Sequence, residues 1–386
     1  MIAREAAKEL ETWAKNFKSV AVIGPRQSGK TTLCKAQFPD KKYISLENPD
    51  IRLFAKQDPR GFLDQFPEGG ILDEIQHIPE LFSYLQQILD ESETEGKFIL
   101  TGSNNFLLQE SITQSLAGRI GYLQLLPLTI NEKKEAKLFN SEIDQNLLTG
   151  FFPSIADKKL DPARWYSNYI KTYVERDVRQ IKNIVSLTSF TKFLQLCAGR
   201  VGQLLNANSL AIEVGVDNKT ISSWFGILES SFVIFLLKPH HRNFNKRLVK
   251  MPKLYFSDVG LVCSLLGIKT TFQLEAHPLR GNIFENMAVS DLWKTLLNRG
   301  EKNTLFFWRD NTGNEVDLIW EKGNELIPIE IKSGKTIVPD FFKGLNYWEK
   351  LSGNPTGFVI YGGDQIQKRS TGQTILPWYQ IPSIFE

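Results

Sequence analysis

Val20-Ala-Val-Ile-Gly-Pro-Arg-Gln-Ser-Gly-Lys-Thr-Thr32 is the stretch on which the reading of this 386-residue sequence turns. An apolar run of strand length, Val20 to Ile23, delivers the chain to Gly24, Pro25, Arg26, Gln27, Ser28, Gly29, Lys30 and Thr31. These fill every fixed position of the phosphate-loop pattern G-x-x-x-x-G-K-[ST]. The glycines let the backbone close around an anion so that successive N–H groups face phosphate oxygens. A helix beginning near Lys30 aims its positive end at the same place. Lys30 then serves the β and γ phosphates and the Thr31 hydroxyl completes a magnesium shell, so ATP and Mg2+ are the expected ligands, with contacts from Gly24 through Thr32. The alternative, a glycine turn that fits by chance, leaves the buried strand before it and the helix-forming Leu33-Cys34-Lys35-Ala36 after it unexplained.

Residues 3–16 read as an amphipathic helix leading into this strand, and Lys42–Leu46 as a second strand. Gly69-Gly70 introduces Ile71-Leu72-Asp73-Glu74, an apolar strand ending in adjacent carboxylates. Asp73 is suited to hold magnesium through water and Glu74 to polarise an attacking water. Ile78–Asp90 has its apolar residues at helical spacing. Lys97-Phe-Ile-Leu-Thr-Gly-Ser-Asn104 is another buried strand that finishes in small polar side chains. In a parallel sheet, ligands sit at the carboxyl ends of strands, so Thr101, Ser103 or Asn104 would face the γ-phosphate or the attacking water. Arg119 precedes an alternating strand, Ile120 to Gln124, that leads to Pro127-Leu-Thr129.

In this order, the complete phosphate loop, Leu72-Asp-Glu-Ile-Gln-His-Ile-Pro79, Leu100-Thr-Gly-Ser-Asn104 and Ala117-Gly-Arg119 resemble the prokaryotic AAA+ type (AAA_14) ATPases that carry a C-terminal DUF4143 region. The resemblance implies an α/β P-loop ATPase core. Within it Lys30 and Thr31 take the Walker A roles, and Asp73 and Glu74 the Walker B roles. Ser103 or Asn104 takes the sensor position, and Arg119 that of an arginine finger reaching a neighbouring subunit of a homo-oligomer.

Asn131–Ile184 is helical by pattern, interrupted at Gly150-Phe-Phe-Pro153, with an aromatic core stripe at Trp165, Tyr166, Tyr169 and Tyr173. It is expected to be a small helical lid over adenine. Ser209–Glu229 has the helix-turn-helix layout, with Gly215 at the turn and a second helix from Thr220. Phe232–Leu237 and Lys253–Phe256 would be the wing strands of a winged helix. From Lys182 to Phe256, ten lysines and arginines stand against three acids, a net of +7; the whole chain carries +3, which leaves −4 for the rest. Positive charge concentrated in this way suits a phosphate backbone, and DNA is the expected partner through Lys219, Arg242, Lys246 and Arg247.

Gly281–Val289 begins a helix carrying Glu285; Thr304–Asp310, Glu315–Trp320 and Leu326–Gly334 read as strands, the first two joined by the turn Asn311-Thr-Gly-Asn314. Asp317 and Glu330 therefore sit inside apolar strands, with Lys332 on the same face as Glu330. Burying such acids unpaired is costly. A divalent cation, Mg2+ or Mn2+, held by Asp317, Glu330 and Glu285 would explain them, with Lys332 positioning water or phosphate. A buried ion-pair cluster explains them as well. Glu285, Asp317, Glu330 and Lys332 together resemble the PD-(D/E)XK restriction-endonuclease-like fold, which implies an α/β, nuclease-like C-terminal domain.

The composition, 42% hydrophobic and 23% charged, is that of a folded globular chain. No apolar run reaches membrane-spanning length, the first ten residues lack a signal-peptide core, and three scattered cysteines form neither a disulfide framework nor a zinc pattern. These features exclude a membrane partner and point to a cytoplasmic protein. The expected organisation is an ATPase core at 1–130, a lid and linker at 131–185, a winged helix at 186–272 and a nuclease-like domain at 273–386. The expected function is ATP hydrolysis coupled to DNA binding, with metal-dependent DNA cleavage possible. The alternative is a nucleotide-switched regulatory or scaffold protein with an inactive nuclease-like domain.

Overall fold

The computed structural model describes residues 2–103, 116–174, 186–242 and 248–385; Asn104, Lys246 and Arg247 lie outside the described residues. The chain forms two compact units. One comprises residues 1–128, 230–232 and 294–301, and the other 129–229, 233–293 and 302–386. The expected lid, helix-turn-helix and C-terminal segments thus fall together, almost entirely, in the second unit.

The first unit is built on five parallel strands, β1 (Ser19–Ile23), β2 (Lys42–Ser45), β3 (Gly70–Asp73), β4 (Phe98–Gly102) and β5 (Ile120–Gln124), in the order β2-β3-β4-β1-β5. β1, β3 and β4 are buried along their whole length, which is why they read as unbroken apolar runs rather than alternating ones. Register places Val22 beside Thr101 and Ile23 between Gly102 and Gln124, so the carboxyl ends of the central strands share one edge of the sheet. Helices α1 (Ala7–Asn16) and α2 (Lys30–Gln37) cover one face. Ala6, Leu10 and Ala14, four apart, pack with Leu33 and Cys34 against Val20, Val22, Ile71, Ile99 and Leu123. Between β2 and β3 the chain forms two helices the pattern reading passed over, α3 (Pro49–Gln57) and α4 (Pro59–Leu63). Each opens with proline behind a side-chain cap, Asn48 and Asp58 respectively. α5 (Leu81–Glu91) follows β3.

In the second unit, the expected helical segment is divided into short helices at Ile130–Glu135, Ile143–Thr149, Pro153–Lys158 and Pro162–Tyr169. The break falls at Gly150, whose φ of +67° ends one helix, with Pro153 opening the next. Over Trp165, Tyr166 and Tyr169 the aromatic stripe packs inward, the side chain of Tyr173 lying outside the described residues: Trp165 stacks on Tyr169 at 5.1 Å between ring centres, Phe152 packs on both, and buried Tyr166 donates to Asp258. The helix-turn-helix elements are Ala207–Val214 and Asn218–Ser230, with Gly215 left-handed between them. The second helix starts two residues before Thr220 because Asp217 is its cap, accepting from the Thr220 N–H and hydroxyl. Strands β6 (Ile234–Leu237) and β7 (Lys253–Phe256) pair antiparallel.

The C-terminal sheet has six strands, β8 (Leu305–Arg309), β9 (Glu315–Lys322), β10 (Glu325–Lys332), β11 (Gly357–Tyr361), β12 (Gln367–Lys368) and β13 (Gln373–Pro377), in the order β12-β13-β11-β10-β9-β8. β8, β9 and β10 form an antiparallel meander, while β10, β11 and β13 are parallel. The chain crosses from β10 to β11 through the helix Lys343–Ser352. No helix among the described residues is long and apolar enough to cross a membrane.

The β8–β9 turn, which sets the register of the acids on β9, is held by one carboxylate. Asp310 accepts from the Thr312 N–H and hydroxyl, the Asn314 N–H and side-chain amide, and the Tyr347 hydroxyl, all at 2.8–3.1 Å. Burial opposes its charge, but the donors from Asn314, Thr312 and Tyr347 outweigh it and hold its pKa at about 2, below the ordinary 3.8. A depressed folded-state pKa gives stability that is present above pH 3.8 and lost as pH falls to about 2. Asp310→Ala should therefore lower the melting temperature at pH 7, and the deficit against wild type should shrink between pH 4 and 2 in thermal melts.

Candidate functional site

Every group that converges at the end of β1 is carried there by the parallel register. Gly24, with φ +156°, lies so close to the neighbouring segment that a Cβ would stand 1.9 Å from the Leu125 carbonyl oxygen. Gly29 caps α2 in the left-handed region at φ +97°, and Gln27 is also left-handed at φ +63°. Lys30 is buried and donates to the Gly24 and Pro25 carbonyls at 2.9 and 3.0 Å, folding back over the loop. Burial lowers its pKa, against the pull of Glu74 and Asp73. Arg26 pairs with Glu47 at 3.5 Å. Pro25 is buried, Thr32 exposed, and the Ser28 hydroxyl is buried with no hydrogen-bond partner.

The carboxylates at the end of β3 are each claimed by defined partners. Asp73 accepts from the Thr31 hydroxyl at 2.9 Å, the Tyr43 hydroxyl at 2.8 Å and the Thr101 hydroxyl. Burial and the bond to Asp73 push the Tyr43 phenol up to about 12. Glu74 itself is left-handed, φ +55° and ψ +48°, and its N–H donates to the Thr101 hydroxyl at 3.2 Å. Its carboxylate accepts from the Ser103 N–H and hydroxyl at 3.2 and 2.9 Å, and from the Gln76 amide. Burial works against its charge, but Lys30, Gln76, Ser103 and Arg26 together hold the pKa below the ordinary carboxylate range. The carboxylate is thus kept ionised beside Lys30, at the level of the loop.

Three contributors escaped the sequence reading. Arg4 is buried and donates to the Ser28 carbonyl at 2.6 Å and to the Leu126 carbonyl at 2.7 Å. In a trans peptide the C=O and the following N–H point in opposite directions. Fixing the Ser28 carbonyl toward Arg4 therefore turns the Gly29 N–H the other way. Nothing in the pattern around residue 4 announces this role. Gln76 sits just past a strand end already recognised, and that position was the available signal; Tyr43 lies near the start of β2 and reaches Asp73 with its hydroxyl, which no sequence signal announced. Arg119, by contrast, is not brought to the loop of its own chain. It precedes the amino end of β5, whereas the loop follows the carboxyl end of β1, and its guanidinium forms a two-pronged pair with Asp90 on α5.

The donor set fits a magnesium-bound nucleotide. The loop carries an orphaned buried hydroxyl at Ser28, a backbone approach at Gly24 that excludes any side chain, and the Thr31–Asp73 pair of oxygen ligands. The C-terminal acids do not fit a metal in the same way. Glu285, on the helix Arg280–Asn298, accepts from Lys253 at 3.0 Å and from the Tyr255 hydroxyl at 2.5 Å, both on β7. Asp317 accepts from Lys332 at 2.9 Å and the Ile331 N–H at 2.8 Å, and Glu330 pairs with Lys332 at 2.5 Å. Among the described residues no group of three or more histidine, cysteine or acidic side chains is placed to hold a metal ion. The acids of the expected metal set, Glu285, Asp317 and Glu330, are thus linked through Lys253 and Lys332 in this structure rather than gathered around one shared point. Of the expected DNA contacts, Lys219 and Arg242 are exposed.

Fold and site define a P-loop nucleotide-binding core followed by a second α/β unit. Three family models match in series: an AAA domain at residues 16–133, a domain of unknown function (DUF8612) at 140–271, and a domain of unknown function (DUF4143) at 280–381. DUF4143 is therefore confined to the C-terminal sheet and its helices, and the helix-turn-helix segment belongs to a separate module. An uncharacterized protein of Mycobacterium tuberculosis is 30% identical over 337 residues, covering 86% of this chain and 74% of its own. One from Haemophilus influenzae is 24% identical over 275 residues, covering 68% and 64%. A Walker-type ATPase of Pyrococcus abyssi superposes with a TM-score of 0.44 at 15% identity, over 69% of this chain and 96% of that one. The chain belongs to the family of AAA-type ATPases with a C-terminal DUF4143 region.

Replacing Arg4 by methionine keeps the bulk and leaves the Ser28 and Leu126 carbonyls without these donors. The expected loss is about 1–3 kcal/mol in stability, with nucleotide affinity falling about tenfold if the Gly29 N–H loses its orientation. Thermal melts and titration with a fluorescent ATP analogue check the two effects separately.

Proposed function

We propose that this protein binds and hydrolyses ATP at the Gly24–Thr32 loop and uses the nucleotide state to control contact with DNA. The observation that carries the first part is Glu74, an ionised carboxylate held by Ser103 and Gln76 next to the Thr31–Asp73 pair. In this reading the loop N–H groups and Lys30 bind the phosphates, and Glu74 takes a proton from the attacking water. Ser103 is the polar group at the end of β4 that orients Glu74. Thr31 and Asp73 would hold Mg2+, which when bound supplies charge neutralisation for the phosphate oxygens. Support for the second part is the capped helix-turn-helix with Lys219 exposed in the first turn of its second helix, and the basic excess of the surrounding segment. DNA cleavage is not part of the proposal, since the C-terminal acids are engaged by lysines.

Lys30→Ala should abolish binding of a fluorescent ATP analogue. Glu74→Gln should keep binding while phosphate release falls about 10²-fold or more. Undiminished turnover in Glu74→Gln would reassign the base. For DNA, a gel-shift titration with and without ATP at several salt concentrations should show salt-sensitive binding that ATP alters and that Lys219→Ala weakens; binding indifferent to ATP would leave the ATPase reading standing and remove the coupling.

A further inference from the structure

Lys253 was counted above with the basic residues of a DNA-facing segment, but its side chain is 4% exposed. Its ammonium lies 3.0 Å from Glu285 Oε1 and 2.5 Å from Glu315 Oε1. Burial works against its charge, yet Glu285, Tyr255, Glu315 and Asp317 together raise its pKa well above the ordinary lysine value. The group is therefore a cation in place. The neighbouring acids are bound in turn: Tyr255 donates to Glu285, Arg309 to the second oxygen of Glu315 at 2.9 Å, and Lys332 to Asp317 and Glu330. Glu330 Oε1 has no partner and lies where a Cβ on Gly344 would intrude to 2.0 Å. Burial first, and Asp317 second, raise the Glu330 pKa to about 8.

A divalent cation needs several oxygens within about 2.0–2.6 Å of one point. Here the space between Glu285 and Glu315 is taken by an ammonium covalently attached to β7, and Asp317 lies near enough to add to the field that holds its charge. Lys253 and Tyr255 come from the segment matched by DUF8612, whereas Glu285, Glu315, Asp317, Glu330 and Lys332 come from the segment matched by DUF4143. We propose that Lys253 is a resident cation standing where a divalent metal would sit among Glu285, Glu315 and Asp317, and that the acid cluster is an ionic clasp fastening these two segments. The clasp is closed to Mg2+ and Mn2+, and it is independent of what the nucleotide loop does.

The test uses the full-length chain without nucleotide and Mn2+ alone as probe, read by thermal melting and by the electron paramagnetic resonance signal of free Mn2+. Wild type and Asp317→Asn should take up Mn2+ alike, because any site lost in Asp317→Asn would lie in the cluster. Lys253→Met, which leaves Glu285 and Glu315 without their ammonium, should melt lower than wild type and gain one Mn2+ site. Millimolar Mn2+ should raise its melting temperature by about 5 °C or more, and the gain should vanish in Lys253→Met/Asp317→Asn. Lys253→Arg, which keeps a cation, should stay insensitive to Mn2+. A wild-type Mn2+ site that Asp317→Asn removes would overturn the proposal, as would a folded Lys253→Met with no response to Mn2+. If Lys253→Met accumulates unfolded, refolding in Mn2+ against refolding in EDTA decides: recovery that depends on Mn2+ supports the clasp, and equal failure in both overturns it.

Discussion

The parallel register of β1, β3 and β4 is the constraint on which the nucleotide site rests. Side chains alternate along a strand, so a slip of one residue in β3 would turn Asp73 into the opposite face and bring an apolar neighbour to the ligand edge. The register seen, with Val22 beside Thr101 and Leu72 beside Leu100, puts Asp73, Thr101 and the loop at a common level. The hydroxyls of Thr31, Tyr43 and Thr101 can then meet on one carboxylate. Unbroken burial of these strands is what makes the register rigid, since any slip would expose apolar area and strand a charge at once.

What was legible in the sequence was whatever chemistry imposes on local spacing. The loop glycines, Lys30 and Thr31 form one turn, and Asp73-Glu74 end one strand, so their relation survives in linear order. The β6–β7 pair and the two helices around Gly215 were equally local, and misplacing the second helix by two residues came from overlooking Asp217 as a cap. Arg4 and Lys253 were illegible for the opposite reason: each acts on groups far away in the chain. Counting charge along the sequence went astray at Lys253 in particular. A lysine buried among carboxylates and a lysine in water contribute the same +1 to a tally, and only the packing distinguishes them. At Asp317 and Glu330 the pattern announced correctly that a buried charge needed a partner, and Lys332 on the same strand face is that partner; what stayed hidden was Lys253 on β7, which pairs with Glu285 and Glu315.

The two polar centres of this chain handle buried charge differently. Around the loop, the Ser28 hydroxyl and one Gln76 oxygen are left without partners, and Lys30 leans on backbone carbonyls that a stronger anion would displace. Unsatisfied groups of that kind raise the free energy of the site in a way that an incoming phosphate relieves. In the C-terminal cluster, cations stand between the acids, and one carboxylate oxygen, Glu330 Oε1, is left without a partner. In the proposed reading, the first centre responds to a ligand and the second holds segments together.

Glu74 holds its carboxylate from a left-handed backbone. For a residue with a Cβ that conformation costs about 1–2 kcal/mol, and glycine escapes it. The position is therefore one where folding and chemistry want different residues: a glycine would give a calmer turn after β3 and no base. Under the proposed role of Glu74, substitutions that drift toward greater thermal robustness at this turn would remove the base without disturbing the architecture. A survey of sequences for intact folds would count such silent copies as sound, and only the identity of residue 74 would separate engines from their well-folded replicas.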